Sequence, residues 1–220
     1  MSLKTIPKSP VYQSNPCYDY AIRLSKKILQ QKIPLNDVLE QYYPEYYAKL
    51  QETIDSFNQQ SPQPIACKKQ CDACCHYMVA SVPMEAKYIQ YSAKNHLSAK
   101  ELKIVSRKLR QVRSKEREFE KQSPNNIVRQ AQLYRLSKIP CPFLKDKTCM
   151  IYHYRPMICR YHNVTGSPEN CYHPALNNVQ AWQHPQLMES DVNFQKFMSH
   201  HYLNTSTSGT LNQLLLDHGF

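Results

Sequence analysis

The sequence predicts a mainly α-helical fold interrupted by one loop-rich, cysteine-bearing segment. Apolar residues recur at three- to four-residue spacing over several long stretches, and no stretch alternates like a strand of a larger sheet. Only three glycines occur among 220 residues, too few for the many tight turns of a β-barrel. Fifteen prolines instead punctuate the helical runs, and six of them crowd into residues 139–185.

Residues 1–16 read as an extended arm. Over 17–31, Tyr18, Ala21, Ile22, Ile28 and Leu29 share one helical face and predict an amphipathic helix. Pro34 restarts the chain, and 35–57 form a longer helical pattern through Val38, Leu39, Tyr42, Tyr43, Tyr46, Leu50 and Ile54. Pro44 should kink or split that helix. Residues 59–64 (Gln-Gln-Ser-Pro-Gln-Pro) form a linker. Pro83 opens a helix in its first turn. Ser98 with Glu101 makes a capping box for a basic helix running to about residue 122. Another helix is expected from Pro124 to about residue 136. Residues 139–185 hold no long periodic run, and two helices, 188–203 and 210–217, close the chain.

This divides the chain into a helical extension at 1–64, a cysteine-rich unit at 65–175 with a helical insertion at about 84–137, and a C-terminal helical extension at 176–220 packing on the same unit. At this length a proper core can form without a metal to compensate for small size.

The absence of G-x-G-x-x-G and G-x-x-x-x-G-K-[ST] patterns excludes dinucleotide and P-loop chemistry. Neither an apolar signal core nor an 18-residue apolar window occurs, so a cytoplasmic chain with no membrane span is expected. Formal charge is +11, which favours an acidic partner or nucleic acid. Arg107, Lys108, Arg110, Arg113, Lys115 and Arg117 lie on the basic helix at 102–121, where Glu116, Glu118 and Glu120 partly offset them.

The cysteines carry the sharpest signal. Nine is an odd number, which a closed disulfide framework does not explain, and cytoplasmic thiols stay reduced. One group is Cys67-x3-Cys71-x2-Cys74-Cys75, and a second is Cys141, Cys149, Cys159 and Cys171. Spacings of x2 and x3 let successive thiolates turn toward one ion or cluster. The second group must be delivered by the fold. Adjacent side chains diverge, so Cys74 and Cys75 serve one tetrahedral ion poorly. One can ligate while the other serves a second metal, bridges, or lies buried. Eight thiols match two zincs, or one four-iron cluster with four left over. Cys17 stands apart as a buried free thiol. His76, His153, His162 and His173 lie near cysteines, with an ordinary hydrogen-bonded role for each as the simpler reading. Arg155 and Arg160 can donate to sulfurs or to backbone carbonyls, or form structural salt bridges, and Tyr152, Tyr154 and Tyr161 are expected to pack around the site.

A family resemblance rests on Cys67-x3-Cys71-x2-Cys74-Cys75, Pro83-x-Glu85, Cys141-Pro-Phe-Leu144, and Cys149-Met-Ile-Tyr152-x2-Arg155-Pro156-x2-Cys159-Arg160-Tyr161. Over about 65–175 the chain resembles the YkgJ-type zinc- or iron-chelating (CxxCxxCC) domain family, which includes a flagellin lysine N-methylase that resembles an iron–sulfur protein. The resemblance implies a cysteine-rich metal-binding domain. Asp72-Ala73 stand where a glycine is common in that family.

Three functions fit these residues. The first is a metal-binding protein whose zinc or iron centre, including a [4Fe–4S] cluster, is held by Cys67, Cys71, Cys74, Cys75, Cys141, Cys149, Cys159 and Cys171. The second is an iron–sulfur enzyme such as a protein-lysine N-methylase. The x3, x2 spacing is also that of radical-SAM enzymes, although the strand–helix alternation of their barrel and the aromatic residue before the third cysteine are missing. The third is a zinc-scaffolded nucleic-acid or protein interaction module contacting its partner through the basic helix.

Overall fold

A computed structural model describes residues 16–68, 70–172, 180–183, 185–205 and 207–220. The arm expected over 1–16, apart from Pro16 at the start of the first helix, and His173 lie outside these residues. The fold is mainly α-helical, as the periodicity predicts.

Helix α1 (Pro16–Gln31) is followed by a short α2 (Leu35–Asp37), a π-helical turn (Val38–Tyr42) and α3 (Tyr43–Asn58). Pro44 sits in the first turn of α3, where its missing N–H costs least. The wide π turn just before it is the interruption that the proline forces. Helix α4 (Pro83–His96) starts on its proline, and α5 (Ala99–Gln122) carries the full Ser98–Glu101 capping box. Helix α6 (Ile127–Leu136) begins three residues after Pro124, because Asn126 supplies the cap by accepting the Arg129 N–H at 3.0 Å. The C-terminal helices are α8 (Pro185–Leu203) and α9 (Leu211–Asp217), the latter capped by Thr210.

Helix α4 is the centre of the molecule. Met84 and Tyr88 face a tyrosine-rich core built from α1, α3 and α8, where Tyr43, Tyr46, Leu50, Phe194 and Met198 pack. Ala86, Ile89 and Ala93 face a second core with Val105 and Leu109 of α5 and Leu211, Leu214 and Leu215 of α9. A helix buried on both sides needs polar anchors at its start, and Ser199 of α8 accepts the Met84 N–H at 2.9 Å.

Strand content is limited to three two-stranded antiparallel pairs among the described residues. Strands β1 (Ala80–Ser81) and β6 (Gly209–Thr210) tie the start of α4 to the start of α9. Strands β2 (Leu144–Lys145) and β3 (Thr148–Cys149) form a hairpin in which Leu144 pairs with Cys149. Asp146 and Lys147 at its tip both take positive φ, the demand of a tight two-residue turn. Strands β4 (Asn163–Thr165) and β5 (Gln180–Trp182) form the third pair. The five-residue helix α7 (Met157–Tyr161) lies between the hairpin and β4.

On the basic helix the charges divide by direction. Arg113 pairs with Glu120 at 2.5 Å and Lys115 with Glu118 at 2.8 Å, so part of the charge is offset on the helix itself. Glu116 instead faces inward. It is buried and accepts from Thr210 Oγ1 and Asn212 Nδ2, both at 2.8 Å, which pins α9 to α5. No helix among the described residues is long and apolar enough to cross a membrane.

Candidate metal centre

The first cysteine group is laid out by a bridge, a turn and a 3-10 helix. Ile65 pairs with Thr165, and the Ala66 N–H reaches the Val164 carbonyl at 2.7 Å, which sets Cys67 beside β4. There the Cys67 thiol donates to the His162 carbonyl at 3.6 Å. Gln70 takes a positive φ of 65° to turn the chain into Cys71. A 3-10 helix (Ala73–His76) then carries Cys74 and Cys75, closed by the Cys75 N–H on the Asp72 carbonyl at 2.9 Å. Asp72 has φ −111°, so the turn closes without the family's glycine.

The second group arrives from three separate elements. Cys141 is tied directly to the first group, its N–H donating to the Cys75 carbonyl at 2.7 Å. The β2–β3 hairpin then brings Cys149 back, and α7 carries Cys159. Cys171 lies in a 3-10 turn (Pro168–Tyr172) and packs with Ala73, Val164, Ala66 and Cys71. Tyr77 locks that turn by donating to the Cys171 carbonyl at 3.0 Å, and Tyr172 donates to Asp72 at 2.5 Å.

Charge and hydrogen bonding divide the eight thiols into two neighbourhoods that share Cys74. Cys67 and Cys171 feel Cys71 and Cys74, whereas Cys75, Cys141, Cys149 and Cys159 feel one another or Cys74. Burial, reinforced by the neighbouring sulfurs, pushes Cys67, Cys149, Cys159 and Cys171 upward and Cys141 up to about 12. Cys74 moves the other way, to about 7. The Cys75 thiol donates to it, its own N–H assists and Arg155 adds positive charge. Donating that proton holds Cys75 high. Backbone N–H groups at Phe143 and Ile151 favour the thiolates of Cys141 and Cys149, each two residues upstream. That is the usual outer support of a sulfur ligand.

Among the described residues, no three Cys, His, Asp or Glu side chains already stand in a metal-ligating arrangement. The donor set suits a soft, thiol-loving metal.

Cys17 is apart from all eight, buried in the tyrosine-rich core, where burial and Asp191 raise it to about 12. His76 has the ordinary role, its Nδ1 lying 3.1 Å from the Lys138 carbonyl. His162 meets Tyr77 edge-on, and burial lowers its pKa. His153 offers its carbonyl to Arg160 and its ring to Tyr152. Both arginines bond backbone carbonyls. Arg155 reaches Tyr152 at 3.1 Å, while the buried Arg160 reaches Arg155, His153 and the side chain of Gln51. Tyr161 packs into the tyrosine-rich core, whereas Tyr152 is 54% exposed.

Along the sequence Glu85 stands only as the last residue of the Pro83-x-Glu85 element. In the fold it is buried and accepts from Met157 N–H at 2.7 Å, Ser81 Oγ at 2.5 Å and Tyr47 Oη at 3.3 Å. It thus caps the short helix that bears Cys159. The available signal was its place two residues after a helix-opening proline.

Helices that hold two cysteine-bearing loop systems against each other define a cysteine-rich protein of the metal-chelating class. The chain belongs to the CxxCxxCC family, whose model, described as "Putative zinc- or iron-chelating domain", matches residues 66–189. No curated protein and no solved structure matches the chain.

Proposed function

We propose that the protein binds zinc or iron through Cys67, Cys71, Cys74, Cys75, Cys141, Cys149, Cys159 and Cys171. The observation that carries this reading is the link from Cys141 N–H to the Cys75 carbonyl at 2.7 Å. It brings together cysteines 66 positions apart in the chain, with Cys74 within electrostatic reach of both sets. Eight soft donors gathered in this way suit thiolate-bound zinc or an iron–sulfur cluster. The two neighbourhoods support a division in which Cys67, Cys71 and Cys171 serve one side, Cys75, Cys141, Cys149 and Cys159 the other, with Cys74 at the junction.

When bound, such a metal would cross-link loops built of short elements, and an iron–sulfur cluster would add electron transfer. The chain's own contribution is to aim backbone N–H groups at Cys141 and Cys149 and to place the Arg155 charge near Cys74 and Cys149. Both lower the cost of holding thiolates together.

The test is metal and acid-labile sulfide content of protein purified without oxygen. Zinc without sulfide, or iron and sulfide in comparable amounts, supports the reading and distinguishes its two forms. Protein free of both, even after reconstitution with zinc or with iron and sulfide, overturns it.

A further inference from the structure

A cleft of about 820 Å³ opens between α3, α4 and the 152–155 segment. This volume falls within the range of small-ligand sites. Behind its wall lies a fixed aromatic layer. Tyr47 and Tyr88 are 2% and 3% exposed, with ring centroids 4.8 Å apart, and the Arg160 guanidinium lies 4.8 Å from the Tyr47 ring. One end is closed by the His96 and Tyr154 rings, stacked at 4.8 Å and 18°.

The two arginines in this cleft differ. Arg160 already donates to three partners and belongs to the framework. Arg155 makes one hydrogen bond, from Nη1, and its guanidinium lies 3.8 Å over the Tyr152 ring. Its Nε and Nη2 groups have no partner among the described residues, so a preformed, planar double donor stands at the mouth of an aromatic trough. The carboxylates of Glu40 and Asp55 also line the cleft, and Gln51 holds Asp55 at 2.8 Å. They disfavour an anion on the α3 side and leave the Arg155 end as its place.

We propose that this cleft binds a small molecule joining a planar ring to a phosphate or carboxylate, the ring against Tyr152 and the His96–Tyr154 pair and the anion on Arg155. The assignment does not require the metal.

The test is equilibrium binding of two probes to the purified full chain, AMP for the phosphate source and 4-hydroxyphenylacetate for the carboxylate, with adenosine as the uncharged control. Saturable binding of at least one anion, tenfold or more tighter than its uncharged counterpart where AMP is the binder, is expected. Arg155→Gln should weaken it at least tenfold, and Tyr152→Ala, at an exposed position that folding does not need, severalfold. Circular dichroism and urea midpoints confirm that both variants fold. Failure of both probes to bind, or binding that folded Arg155→Gln leaves unchanged, overturns the proposal.

Discussion

The Glu85 carboxylate on α4 accepts the backbone N–H of Met157 at 2.7 Å, across 72 residues of chain. The most central helix thereby positions the first turn of α7, two residues before Cys159. A five-residue helix has little intrinsic stability, so it persists only through such tertiary contacts. Substitution Glu85→Ala leaves a buried N–H unpaired, and a loss of about 1–3 kcal/mol is expected in urea unfolding. Glu85→Gln keeps an acceptor and should lose less. Equal losses in the two variants would show that the cap is not what Glu85 supplies.

Burial raises the pKa of both Glu85 and Asp191. A carboxyl whose folded pKa lies above its unfolded value favours folding while both states are protonated, and that contribution is lost as pH rises through the folded value. Stability should therefore fall as pH climbs from the ordinary carboxylate range toward neutrality. Asp191 sits in the core accepting a hydrogen bond from Tyr46, so Asp191→Asn should flatten this slope. An unchanged slope in that variant, read by urea midpoints across the range, would exclude Asp191 as a contributor.

Serine at Cys71 or at Cys74 should lower metal content, with Cys74→Ser the more damaging because that sulfur faces both neighbourhoods. Cys17→Ser should leave metal content unchanged and cost about 1–3 kcal/mol of stability, since it trades a buried thiol for a more strongly hydrated hydroxyl in the tyrosine-rich core. Elemental analysis of the three variants separates these outcomes. Full metal in Cys71→Ser would remove Cys71 from the ligand set.

Removing metal with a chelator should loosen the chain unevenly. Residues 139–171 rest on short elements, whereas α3, α4 and α8 share a packed tyrosine-rich core. Hydrogen exchange should speed up in the first region and change little in the helices. Uniform acceleration would mean that the metal stabilises the whole fold.

Most of the helices were legible because their signals are local. Pro83, the Ser98–Glu101 box and the 3.6-residue pattern each act within one or two turns. The cysteines were legible as a set because thiol chemistry and close spacing are read directly from the chain. The start of α6 was placed too early because a proline marks a restart without naming the cap, and Asn126 supplied it.

What the sequence by itself determined is therefore the helical class, the separation of Cys17 from the other eight cysteines and the soft-donor chemistry of those eight thiols. The tertiary structure alone decided how the thiols fall into two neighbourhoods, that Glu85 caps the helix of Cys159, that Glu116 faces inward, and that Arg155 keeps free donors beside an aromatic cleft. The reason is physical. Helix periodicity and capping depend on neighbours three or four residues away, whereas these relations join residues tens of positions apart, and only the packing around α4 fixes which of them meet.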